Sequence, residues 1–133
     1  MLQLTYISSV PPRTPVDVED ILRVSRRNNG AAGVTGLLLF DGRRFLQALE
    51  GEAALVNATY QRIKTDPRHR AIVLLSSNDV QARAFGAWSM AAQRVSAAKG
   101  STVAEQIDAL TAEVADANLR ELFRSFAQVR AAA

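Results

Sequence analysis

The chain alternates short stretches of period-two and period-three-to-four apolar patterning. Leu2 to Ser8 alternates, placing Leu2, Leu4, Tyr6 and Ser8 on one strand face. "TPVD" then opens a helix. Thr14 suits the N-cap, Pro15 the first helical position, and Asp17 the acidic position of a capping box. The pattern predicts this helix to about Asn29, with Gly30 as the residue after its C-cap. Its inward stripe is Val18, Leu22, Ser25 and Asn29, with Ile21 and Val24 alongside. Thr35 to Phe40, "TGLLLF", is nearly continuous in apolar character and predicts a central strand covered on both faces. Asp41-Gly42 signals a hairpin, and the antiparallel partner strand runs from Phe45 to Leu49.

A second amphipathic helix spans Glu52 to about Thr65, with Leu55, Val56, Thr59 and Ile63 inward and Pro67 just past its end. Ala71 to Leu75 reads as a fourth strand. A fifth follows around Ala87 to Val95, with Trp88 and Met90 on one face. The order βαββαβ plus a further strand predicts an α+β, ferredoxin-like mixed sheet with two helices on one face. After Lys99-Gly100 two short helices are expected. Val103, Ile107, Leu110 and Val114 form the apolar side of the first, and Leu119, Leu122, Phe123 and Phe126 that of the second. These are too small to stand alone, so they are expected to cover the other sheet face. The domain reading is one sheet-and-helix unit over 1–96 and a helical extension over 97–133.

Composition narrows the chemistry. A chain of 133 residues suits one domain with a real core. It has no cysteine and one histidine, His69. That excludes disulfides, thiolate metal sites, cysteine nucleophiles and multi-histidine metal centres. No apolar run reaches membrane-span length, and the N-terminus lacks the basic-then-apolar plan of a signal peptide, so the expected location is cytoplasmic. The net charge of +3 is mild. Basic residues at Arg26-Arg27, Arg43-Arg44 and Arg62 to Arg70 are not interleaved with aromatics, which argues against nucleic acid. Asp41, Glu50, Glu52 and Asp66 are explained as caps and solvated residues at turns and helix ends. No nucleotide-binding glycine motif and no nucleophile–base pair is present, so no enzyme activity is expected.

Several polar groups lie on faces that ought to be apolar. Gln47 sits between Phe45 and Leu49, and Tyr6 follows Leu2 and Leu4. Ser25 and Asn29 are on the inward stripe of the first helix. Each has an ordinary explanation taken singly, through internal pairing, access to water or capping. Together, two amides, a phenol and a hydroxyl at one helix–sheet interface make a neutral donor–acceptor array. Such an array suits a flat heteroaromatic ring with alternating carbonyls and nitrogens. The pattern does not identify the ring.

The elements "LTYIS", "SRRNNGAAGVTGLLLF", "RFLQALEG", "DPRH" and "FGAWSM" stand in an order and spacing that resembles the BLUF family, sensors of blue light using flavin, over about residues 2–94. The resemblance implies the ferredoxin-like fold with the flavin ring between the two helices, and FAD as cofactor with FMN admissible. It implies that Tyr6 gives an electron and a proton to the excited flavin and that Gln47 links Tyr6 to the ring and rearranges. It further implies that Asn29, Asn28 and Ser25 contact the ring, and that Trp88 and Met90 lie near Gln47. Arg62, Arg68 and His69 would stand near the ribityl and phosphate end. Phe40 stands where many members carry tyrosine, and Ala91-Ala92 replaces the more usual Gly-Phe. With no effector domain expected after the sensor unit, the chain resembles the short BLUF proteins, which act through a homo-oligomer or an unidentified downstream protein. The alternative is a non-photochemical small-molecule sensor or adaptor on the same fold.

Overall fold

A computed structural model describes residues 1–10, 20, 23, 27, 33–41, 43–67, 69–85, 91–94, 103–112, 114 and 116–132. It forms two compact units, Met1–Gln93 and Arg94–Ala133. The strands are β1 (Leu2–Ser9), β2 (Thr35–Phe40), β3 (Arg44–Gly51), β4 (Arg70–Asp79) and β5 (Ala91–Arg94). The helix α1 (Ala53–Thr65) lies between β3 and β4, and α2 (Val103–Leu110) and α3 (Ala117–Ala132) belong to the second unit. Of the helix expected over 14–29, only Asp20, Arg23 and Arg27 are among the described residues. All three are helical, and Arg23 bonds to Asp20 one turn before it.

The sheet order is β4-β1-β3-β2-β5. The ladders β1–β3, β1–β4 and β2–β3 are all antiparallel. It follows that β1 and β2 are parallel with β3 between them, and that β3 and β4 are parallel with β1 between them. This mixed sheet, with antiparallel neighbours, agrees with the α+β class that the sequence order predicts. Register sorts the side chains into two faces, because directly paired residues share a face. Leu38, Gln47, Tyr6 and Leu74 form one row across β2, β3, β1 and β4. Thr35, Glu50, Gln3 and Asn78 form a row on the opposite face.

The first face packs Leu4, Tyr6, Leu38, Phe40, Phe45 and Leu49 against Val34 and against Val56 and Tyr60 of α1. The second face is equally closed in the centre of the sheet, where Leu37, Leu39, Leu46 and Ala48 are buried. The near-continuous apolar run of β2 is therefore covered on both sides, as expected. Gly36 is required by close approach. A Cβ there would stand 2.0 Å from the Ala48 carbonyl oxygen of the neighbouring strand.

Several boundaries and faces differ from expectation. β4 runs on to Asp79, because pairing with β1 down to Leu2 supplies partners for the polar run Ser76 to Asp79. It is an edge strand with two irregularities in its register, and Val73, Leu74 and Leu75 are exposed. On α1 the buried stripe is Val56, Thr59 and Tyr60, with Ile63 packed beside it. Leu55 is exposed, since it lies about 100° around the helix from Val56. The hairpin at Asp41 is held by its carboxylate, whose Oδ1 accepts the backbone N–H groups of Arg43 and Arg44 at 2.9 and 2.8 Å. Its other oxygen pairs with the Arg44 guanidinium at 3.0 Å.

Within the second unit, Ile107 and Val114 are buried, as are Leu119, Phe123 and Phe126 of α3. Asp116 caps α3 by accepting the Asn118 N–H at 2.9 Å, and Arg124 pairs with Asp108 of α2 at 3.3 Å. Among the described residues no helix is long and apolar enough to cross a membrane, and no cluster of metal-ligating side chains occurs.

Candidate functional site

The site grows from the row Leu38, Gln47, Tyr6 on the face that packs against α1. Tyr6 is completely buried and Gln47 is 3% exposed. They are direct partners across the β1–β3 ladder, which brings their side chains together on one face. The Tyr6 hydroxyl donates a hydrogen bond to Gln47 Oε1. The carboxamide is thereby oriented, with Nε2 as its donor end. Burial raises the Tyr6 phenol far above its ordinary value. The proximity of Tyr60 and of Asp66 acts in the same direction. The phenol is accordingly held as a neutral donor at physiological pH.

Aromatic groups surround this pair. The Tyr60 ring lies 5.5 Å from the Tyr6 ring, tilted by 45°. His69 stands edge-on to Tyr6 at 6.2 Å and tilted against Phe45 at 4.8 Å, and Phe45 stacks on Phe40 at 4.6 Å. His69 is fixed by Ser8, whose Oγ is 2.7 Å from its Nδ1. Ser8 is the next residue beyond Tyr6 on the same strand face, so β1 positions both the phenol and the imidazole.

Of the sequence-predicted site residues, Tyr6, Gln47 and His69 are brought together. Arg62 is exposed on α1, where its Nη2 donates to Thr59 Oγ1 at 3.2 Å. Ser25, Asn28, Asn29, Arg68, Trp88 and Met90 lie outside the described residues. Sequence reasoning missed Tyr60, although its place four residues after Val56 put it on the inward stripe. Ser8 was placed on the correct face without a role. The reading of Glu50 as a solvated end-of-strand acid is overturned. It is wholly buried within β3 and accepts four hydrogen bonds.

A flat ring with carbonyl and nitrogen edges requires neutral donors and acceptors beside an apolar, aromatic wall. The buried phenol–carboxamide pair, with Tyr60, Phe45 and His69 around it, has that chemistry, so these residues fit a flavin.

Comparison with known proteins agrees with this geometry. The family described as sensors of blue-light using FAD matches residues 1–91. The blue light- and temperature-regulated antirepressor BluF of Escherichia coli (strain K12) is 40% identical over 84 residues, which are 62% of this chain and 21% of that protein. BlrP1 of Klebsiella pneumoniae, solved with FMN and cyclic diGMP, superposes with a TM-score of 0.67 at 35% identity. That match covers 71% of this chain and 26% of the other. The dark-state structure of BlrB, a BLUF protein, gives a TM-score of 0.72 at 32% identity and covers 96% of each chain. The chain thus spans about a fifth of the length of the curated relative. A family match over most of the chain, on a fold that pairs Tyr6 with Gln47 in the core, establishes that the chain belongs to the BLUF family of blue-light sensors.

Proposed function

We propose that this protein is a blue-light receptor in which Tyr6 and Gln47 form the light-driven switch, with FAD as the native flavin and FMN accepted by the same ring contacts. The hydrogen bond from the buried Tyr6 hydroxyl to the buried Gln47 oxygen carries this reading. Simple ligand binding does not need a phenol aimed at the carboxamide. A proton-coupled electron donor does, because its proton must have an acceptor in place.

Bound flavin would supply absorption of blue light and a one-electron acceptor. Tyr6 would give one electron to that acceptor, and its hydroxyl proton would move along the existing hydrogen bond to Gln47. On return of electron and proton the phenol would be restored and the carboxamide left with its donor and acceptor ends re-aimed. Deep burial disfavours a phenolate in this position, so the proton leaves with or after the electron and not before it. A single rearranged hydrogen bond is worth about 0.5–1.5 kcal/mol. As about 1.4 kcal/mol is a tenfold change in an equilibrium, such a signal biases a balanced interface without unfolding the domain.

Ser25, Asn28 and Asn29 are proposed as ring contacts, with Trp88 and Met90 beside Gln47. His69, Arg62 and Arg68 are proposed for the ribityl and phosphate end. The unit over 1–96 is read as the sensor and 97–133 as the output extension. The signal would pass to a homo-oligomer interface or a downstream protein, and no catalytic role is assigned.

The test is direct. Protein purified in the dark should be yellow, and blue light should red-shift its absorption reversibly. Gln47→Leu should keep the flavin and lose the shift. A normal shift in that variant would overturn the role given to Gln47.

A further inference from the structure

We propose that Glu50 pins the β4–β5 crossover to the sheet, and that its carboxylate is the positioning group through which β3 fixes the chain leading into β5. Alternation on β3 puts Gln47 on the α1 face and Glu50, three residues on, on the opposite face. There Glu50 is completely buried. Its two oxygens are matched one for one. Oε2 accepts Gln3 Nε2 at 3.2 Å and the Ala84 N–H at 2.9 Å. Oε1 accepts the Thr35 hydroxyl at 2.9 Å and the Phe85 N–H at 2.6 Å. Each oxygen therefore takes one donor from a neighbouring strand and one from the crossover. Four donors converge on it, two on each oxygen, which uses the acceptor capacity of both. Arg83 adds a second tie. Its Nη1 donates to the Thr35 hydroxyl at 2.8 Å and to the Glu50 carbonyl oxygen at 3.2 Å.

The crossover needs such an anchor. It must pass from β4 at one edge of the sheet to β5 at the other. Four strand spacings amount to about 19 Å of lateral travel. The residues numbered 80–90 can reach roughly 36 Å when extended. With about twice the necessary length, tautness does not define the path, and bonds must. The crossover meets the sheet at Glu50, near the middle of its span. Glutamine is almost the same size but replaces one oxygen with an NH2 group, which would face two donors whichever way it turned.

The inference rests on the light-sensor reading only in its last clause, that the same anchor carries changes on β3 to the segment after Phe85. Trp88, the sole tryptophan of the chain, reports on that segment. The experiment uses full-length protein purified with flavin in the dark. It compares wild type, Glu50→Gln and Glu50→Ala by amide hydrogen exchange at Ala84 and Phe85 and by fluorine NMR of 5-fluorotryptophan at position 88. In the wild type both amides should be protected at least ~100-fold, and Glu50→Gln should lose at least ~10-fold of that protection. The fluorine resonance should shift or split in the variant. Under illumination it should move in the wild type and stay still in Glu50→Gln, while the flavin absorption shift persists in both.

Unprotected Ala84 and Phe85 amides in the wild type would overturn the anchor even if both variants failed to fold. So would full protection and an unmoved resonance in a folded variant. Equal light-driven movement in wild type and variant would overturn the transmission clause. Absence of any absorption shift in the wild type would instead sink the light-sensor reading and leave the dark measurements to decide the anchor.

Discussion

The Tyr6–Gln47 bond makes a quantitative prediction that does not depend on light. Tyr6→Phe removes one hydroxyl and keeps the ring that packs against Tyr60 and His69. The loss takes a donor from a carboxamide that is 3% exposed. Depriving a buried polar atom of its partner costs about 1–3 kcal/mol. Gln47→Leu removes the acceptor instead and strands a completely buried hydroxyl, at a similar cost. In the double variant both ends of this bond are gone, and an apolar pair lies between Leu38 and Leu74 in the same row. Its cost should fall short of the sum of the single costs by about 1–2 kcal/mol, the size expected for neighbours sharing one bond.

The assay is urea denaturation of wild type, both single variants and the double variant, followed by circular dichroism. Each is measured at two flavin concentrations, because a change in flavin affinity would itself alter apparent stability. The coupling should be the same at both concentrations. Additive costs within about 0.3 kcal/mol would refute the bond as an energetic unit. A double variant less stable than the sum of the single losses would do the same. All three variants should also lose the light-induced shift.

Other consequences follow from single residues. Gly36→Ala should destabilise by about 3 kcal/mol, the upper end for overpacking, because its Cβ meets the Ala48 carbonyl at 2.0 Å; a melt within a degree or two of wild type would refute the register of β2 on β3. Burial alone would raise the Asp41 carboxyl, but the Arg43 and Arg44 amides and the Arg44 guanidinium hold it below its ordinary 3.8. Its stabilisation is thus present above the unfolded value and lost as pH falls through the lower folded value. Asp41→Asn should flatten acid unfolding in that window, so that the stability difference between variant and wild type is smaller at pH 3 than at pH 7 when read by denaturation at both. In Tyr60→Phe the only remaining tyrosine is Tyr6, whose raised value gives stability that is full below pH 10 and declines above it. Tyrosinate absorbance at 295 nm should then appear only with loss of the folded signal, and half-ionisation at pH 10 in folded protein would refute the burial.

What the sequence made legible was whatever depends on period and local chemistry. Alternation put Tyr6 and Gln47 inward, and the Asp41 hairpin fixed β2 against β3. The order of elements announced a mixed α+β sheet. The failures share one cause, which is that tertiary partners are chosen across the sheet. Ser76 to Asp79 do not look like a strand, yet β1 offers them a ladder. Leu55 looked inward by its chemistry, but the phase set by Val56 and Tyr60 turned it out. Glu50 looked solvated because acids usually are. Its burial depends on donors from Gln3, Thr35, Ala84 and Phe85, none within ten residues of it, and no local pattern announces such a set.

Gln47 and Glu50 together suggest why β3 is built as it is. The strand is central, bonded to β1 on one side and β2 on the other, and it is buried along nearly its whole length. A central strand is the stiffest place in a sheet, so a re-aimed carboxamide at Gln47 cannot relax by local fraying. The displacement must be taken up by side-chain partners or passed along the strand. Three residues away, on the other face, Glu50 is held by both neighbouring strands and by the crossover at once. A shift of β3 relative to β1 or β2 changes the four distances at Glu50 unequally, because two of its donors move with those strands and two belong to the crossover. An anchor of four convergent hydrogen bonds is sensitive to small changes in such distances. The two polar residues of this strand would then have complementary parts, Gln47 converting light into a changed hydrogen bond and Glu50 converting a strain in β3 into a changed hold on the chain that leads to β5.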